Sequence, residues 1–206
     1  MSSESTPPGV LHMNREEELR WRLELVGPGD VSRGIFMNSI LELVRQSEGE
    51  AAARRCMEAS TETRYLEFFN YPVADILRLA FAAAHALSAR YGGFDEAMRD
   101  LGYRSSRDFY LSSAGKVLVL LARNDPLRLL NNMPATTQAV LGETGLSQMK
   151  RTGRVSAILM YRRDIMPRPF NEGALRAALE SVNAKEVRVS AQPLGPLDTD
   201  YELSWK

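Results

Sequence analysis

Apolar residues recur three or four positions apart through the first two thirds of the chain, then give way to alternation with polar ones. The densest helical runs are 71–91 and 105–123. The first presents Val73, Ile76, Leu77, Ala80, Phe81, Ala84 and Leu87 on one face, the spacing of an amphipathic helix. In the second, 117–122 is apolar at every position, which predicts a helix buried on all sides. Ahead of these runs, Ile35, Phe36, Ile40, Leu43 and Val44 predict a helix that opens at Ser32 and ends near Gly49, followed by a shorter one over 50–59. Trp21, Leu23 and Leu25 alternate with Arg22 and Glu24, which predicts a short strand closed by the turn at Gly27 and Pro28. A short helix over 94–101 closes at Gly102, and Ser105 with Asp108 reads as a capping box for the next. Asp125 and Pro126 open a further helix that stops at Asn132 and Pro134.

Beyond that point the period is two. Segments 146–150 and 154–163 read as paired strands joined near Thr152 and Gly153. Asn171 caps a helix with Ala174, Leu175, Ala178, Leu179 and Val182 on its face; Val187 and Val189, then Tyr201, Leu203 and Trp205, mark two more strands. The order predicts an α+β fold: an N-terminal strand and helical block packed on an antiparallel sheet that a C-terminal β-β-α-β-β unit completes. Residues 1–15 read as a disordered leader and 16–206 as one domain.

Composition narrows the function classes. Twenty-six basic residues balance 26 acidic ones, so no global charge draws the chain to nucleic acid or anionic lipid. A lone cysteine, Cys56, excludes an internal disulfide framework and fits a reducing cytoplasm. No apolar run approaches the roughly 20 residues of a membrane helix. One Cys and two His, with His12 in the leader, are too few for a zinc site. Cys56 has no histidine placed to activate it and reads as a buried structural thiol.

Several short peptides resemble a large paralogous family largely confined to the Myxococcales. They are Arg33-Gly34-Ile35-Phe36, Asn70-Tyr71-Pro72 and Tyr91-Gly92-Gly93-Phe94-Asp95-Glu96-Ala97, with Ser113-Ala114-Gly115-Lys116, Met166-Pro167 and Tyr201-Glu202-Leu203-Ser204-Trp205 further on. That family carries no established reaction. The helical block followed by β-β-α-β-β is similar, at a further remove, to the superfamily of haem-nitric-oxide-binding domains, four-vinyl-reductase domains and TRAPP subunits. This resemblance implies an apolar interior that can open to hold a ligand, and frequent dimers.

Candidate chemistry is sparse. Tyr103-Arg104-Ser105-Ser106-Arg107 spells the Tyr-x-Ser-x-Arg pattern with which haem-nitric-oxide domains hold propionates, and His85 is the candidate axial ligand. Against haem, His85 lies well before the motif and Ser105 already has a capping role, so the reading assigns no cofactor and no metal. An apolar pocket between helices and sheet would be lined by Phe81, Ala84, Phe109, Ala114, Leu118 and Leu121. A basic rim of Lys150, Arg151, Arg154, Arg162, Arg163 and Arg168 gathers around the first hairpin; with Tyr161 the one aromatic nearby, it suits an acidic protein better than nucleic acid. No nucleophile, base or metal set is recognisable. The reading is therefore a non-enzymatic interaction or regulatory module of the cytoplasm that self-associates or binds a protein, with a small apolar ligand between helices and sheet. The alternative is a cofactor-binding sensor or enzyme of the same fold.

Overall fold

The computed structural model describes residues 13–141 and 145–206. Of the leader expected over 1–15, residues 1–12, His12 included, lie outside the described residues, while Asn14 and Arg15 belong to the start of the first helix. Helix α1 (Arg15–Glu24) opens on Asn14, whose side chain accepts from the Glu17 N–H while Glu17 caps Asn14 in return. Glu16, Glu17 and Glu18 sit in its first turn, where carboxylates favour the positive helix end. The strand expected at Trp21–Leu25 is thus helix: three alternating residues also fit one turn, and the cap decides between them. Strand β1 (Val31–Arg33) follows and pairs antiparallel with β2 (Asn70–Pro72). Between them run α2 (Gly34–Glu48) and α3 (Glu50–Glu58). Ser32 belongs to β1 rather than capping α2.

Helix α4 (Val73–Tyr91) carries the predicted apolar face and ends on Gly92 at φ 84°, a conformation that glycine adopts without strain. Helix α5 (Phe94–Leu111) runs straight through Gly102. A side chain there would overlap the Phe170 carbonyl of α8 (Arg168–Ser181), and one at Gly173 would overlap the Arg99 carbonyl. Gly102 therefore lets two helices cross in near backbone contact. Its buried set, Ala97, Met98, Leu101, Gly102, Ser105, Ser106, Phe109 and Tyr110, keeps one continuous face across the glycine.

Chain direction changes at Ser112, which caps α6 (Ser113–Ala122) by accepting from the Gly115 N–H. The all-apolar run of α6 is the largest correction to the sequence reading. Val117, Leu120 and Leu121 are 54%, 75% and 60% exposed; α6 is an arm that seats only Gly115, Ala122 and the flanks of Leu118 and Val119. Helix α7 (Pro126–Leu141), capped by Asp125 Oδ1 on the Leu127 N–H at 2.9 Å, continues through Pro134 instead of stopping there.

Strands β3 (Leu146–Arg151), β4 (Ser156–Tyr161), β5 (Arg188–Pro193) and β6 (Thr199–Ser204) form one antiparallel sheet in the order β3-β4-β6-β5, with α8 between β4 and β5 in sequence. The α+β class and the C-terminal β-β-α-β-β order read from the pattern are the observed ones. Ala157, Leu159, Tyr161, Thr199, Tyr201 and Leu203 turn inward, while Glu202 and, opposite it on β5, Ser190 face water, the alternation of a half-buried sheet. Two cores result. One lies among α2, α3, α4 and the first half of α5; the other joins the second half of α5, α7, α8 and the sheet. Their junction holds the site.

Candidate functional site

A cavity of about 140 Å³ lies where the two cores meet. Val73 and Ile76 of α4, Phe36 of α2 and Ile165 close it from the helical side. Phe109 and Tyr110 of α5, Met133 of α7, Tyr161 of β4, and Phe170 and Leu175 of α8 close it from the other. Phe36 and Phe109 lie 5.4 Å apart between ring centroids with their planes tilted by 33°, and Tyr110 meets Phe109 edge-on at 5.3 Å. The α5–α8 crossing at Gly102 forms part of the wall.

Two polar groups stand out against these walls. The hydroxyls of Ser32 and Ser105, each residue 1% exposed, line the cavity and have no hydrogen-bond partner among the described residues. Ser39 on α2, by contrast, bonds back to the Ile35 carbonyl at 3.0 Å. A buried hydroxyl left unpaired costs on the order of 1–3 kcal/mol, so two in one cavity are a site-specific expense. Ser105 is not the helix cap the sequence suggested, because it sits mid-helix, and Asp108 pairs instead with Arg104 at 3.1 Å.

In the cavity wall, Asp164 is 3% exposed and accepts from Asn171 Nδ2 at 2.6 Å and from the Tyr201 hydroxyl at 2.7 Å. Burial pushes its carboxyl up to about 6, against the pull of the Tyr201 hydroxyl and the Arg22 charge. Burial likewise raises the Tyr110 and Tyr161 hydroxyls, keeping both neutral. The loop carrying Asp164 is tied to the N-terminal block twice. Buried Arg22 of α1 donates to the Ile165 carbonyl at 2.7 Å, and Arg163 donates to Asp30 at 2.6 Å. Burial would raise the Asp30 carboxyl, but Arg163 and the Gly27 N–H outweigh it and the carboxyl stays lowered. One cavity wall is therefore fastened across the junction.

The residues proposed from sequence divide. Phe109 lines the cavity. Phe81 and Ala84 are buried in the helical core on α4, Ala114 and Leu121 are exposed on α6, and Leu118 is half-buried there. The six basic residues do not form one patch. Arg162 pairs with Asp200 at 2.9 Å, Arg163 with Asp30, and Arg168 donates to Thr199 and to the Gly195 carbonyl at 2.8 Å. Lys150, Arg151 and Arg154 alone are exposed, at the β3–β4 hairpin. Sequence reasoning missed Ser32, Tyr161 and Asp164 as cavity residues and read Ser105 for another role.

The Tyr-x-Ser-x-Arg residues do not converge. On α5, spacing of two and four places Tyr103 and Arg107 on one side and Ser105 on the other. Tyr103 donates to Glu180 at 2.8 Å, Arg107 is exposed, and Ser105 faces the cavity. His85 is exposed on α4, packs on Phe94 at 4.8 Å, and does not line the cavity. No group of three or more His, Cys, Asp or Glu able to hold a metal occurs among the described residues. Burial raises the thiol of Cys56, the reverse of what a nucleophile needs. No helix among the described residues is long and apolar enough to cross a membrane.

The helical block and its antiparallel β-β-α-β-β unit superpose on solved structures of H-NOX proteins. The Fe(II) unliganded H-NOX protein from K. algicida superposes with a TM-score of 0.65 at 14% identity, over 84% of this chain and 96% of that one. An H-NOX protein from S. oneidensis in the Fe(II)NO ligation state gives 0.62 at 13% identity, over 84% and 99%. The IWP-051-bound H-NOX from Shewanella woodyi in the Fe(II)CO ligation state gives 0.62 at 17%, over 83% and 93%. At such identity the likeness establishes fold alone. Over residues 26–206 the chain matches, and belongs to, the family described as protein of unknown function (DUF2378). Among curated proteins none matches the chain in sequence.

Proposed function

We propose that this chain is a non-enzymatic, ligand-sensing regulatory module of the cytoplasm, built on the H-NOX fold but working without haem. The observation that carries it is the apolar cavity of about 140 Å³ with two buried serine hydroxyls on its wall that have no partner among the described residues. A bound small molecule would satisfy those hydroxyls and brace the junction between the two cores. Haem does not fit: no histidine lines the cavity among the described residues, the Tyr-x-Ser-x-Arg side chains diverge, and the volume falls well below the roughly 300–1,000 Å³ of ordinary ligand pockets. Among the described residues, no activated nucleophile, base or metal set supports catalysis.

Thermal unfolding against a panel of small neutral fragments tests this. A fragment at a hundredfold excess over its Kd should raise the midpoint by roughly 5–10 °C. Ala174→Leu, which extends a side chain into the cavity, should stay folded and lose that response. A panel without a single stabilising fragment, or an Ala174→Leu variant that responds like the parent, would sink the proposal.

A second reading rests on α6. Leu111, Val117, Leu120 and Leu121 leave an apolar strip exposed, and such strips mark partner surfaces. Self-association through it predicts a dimer that Leu120→Glu dissociates in sedimentation velocity; a parent that is monomeric at every concentration rules it out.

A further inference from the structure

We infer that the cavity takes an uncharged molecule the size of a single six-membered ring, whose one hydrogen-bonding group is held by Ser32 and Ser105. The inference rests on the ligand-binding reading above and specifies the ligand's size, charge and anchoring.

Size follows from the volume. About 140 Å³ is close to the roughly 150 Å³ of a dry apolar cavity that admits benzene. Shape follows from the walls, because the Phe36–Phe109–Tyr110 cluster presents ring faces and edges against which a flat ring packs. Charge follows from the lining. Asp164 is the one charged side chain that lines the cavity among the described residues, and both its oxygens are already engaged, by Asn171 and Tyr201. No lysine or arginine lines it among them. An anion would lose its hydration with no counter-charge to replace it, and a cation would have to break the Asn171 and Tyr201 bonds. Polarity follows from these two hydroxyls, which have no partner among the described residues and can each donate or accept, so a ligand hydroxyl or carbonyl finds an answering group on this wall. Ser32 lies on β1 and Ser105 on α5, the helix that spans both cores. A ligand held by both therefore links the small sheet to that helix.

Calorimetric titration of the full chain with phenol, cyclohexanol, toluene and benzoate is the test. Phenol should bind roughly fivefold more tightly than toluene, the worth of one net hydrogen bond, with cyclohexanol also above toluene and benzoate silent. Ser105→Ala and Ser32→Ala should each pull phenol toward the affinity of toluene while leaving toluene unchanged. A hydroxyl with a merely structural role would weaken both probes alike. If benzoate matches phenol, or the serine variants keep the preference for phenol, this inference fails while a ligand site stands. If no neutral probe binds, the site itself falls as well.

Discussion

Position 105 of α5 falls on the helix face that Leu101 and Phe109 fill with large apolar groups, one turn to either side. The serine there gives up packing volume and places a hydroxyl where no described group answers it. Ser105→Ala should accordingly raise the unfolding free energy in urea by about 1–2 kcal/mol, since alanine removes the unpaired hydroxyl and favours the helix; a loss of stability would mean that the hydroxyl is already satisfied. Asp164 carries a second prediction. Its folded carboxyl titrates near 6 against an ordinary 3.8, so between those values the folded chain keeps a proton that the unfolded chain has lost. That contribution is largest at the acid end and is lost as pH rises through about 6. The stability difference between the parent and Asp164→Asn should therefore shift against the parent across that window and level off above it. A difference that stays flat with pH contradicts the assignment. Position 105 was legible in part: Met98, Leu101, Ser105 and Phe109 share one helical face in the sequence, and a serine on such a face is the signal. Ser32 and Asp164 had no such signal, because their burial comes from elements distant in the chain.

Elements were read well wherever the period was long. The faces of α2 and α4 and the alternating strands β3 to β6 declare themselves, because each buries one side only. Three of the misreadings have a clear physical reason. Trp21–Leu25 offers three alternating residues, too few to outweigh an N-cap. Gly102 stops no helix, because its hydrogen serves the crossing with α8 rather than a turn. The apolar run of α6 signals a hydrophobic segment without saying that anything covers it, and half of it is exposed. Two substitutions separate these roles. Gly102→Ala should cost about 3 kcal/mol or more, or prevent folding, because its methyl meets the Phe170 backbone. Leu120→Asp should leave chemical unfolding within about 0.5 kcal/mol of the parent. If Leu120→Asp abolishes folding, α6 is core after all; if Gly102→Ala melts like the parent, the close crossing is wrong.

At the scale of the molecule, the two cores are joined by α5, by the α5–α8 crossing, and by the Arg22 and Asp30 contacts to the loop 162–167. The cavity sits among these connections, so a ligand there would touch both halves at once. The α+β order was visible in the switch of period along the chain, but the junction was not: it depends on helix packing across more than a hundred residues. Of the six pocket residues proposed from sequence, Phe109 alone lines the cavity, since helical periodicity tells which side is buried and not against what. The most direct test is an amide correlation spectrum of the labelled protein titrated with phenol. Shifts at Ser32, Ser105, Tyr161 and Asp164, on both sides of the junction, are the predicted result. Shifts confined to Val117, Leu120 and Leu121 on α6 would place binding on the exposed apolar strip and contradict the account.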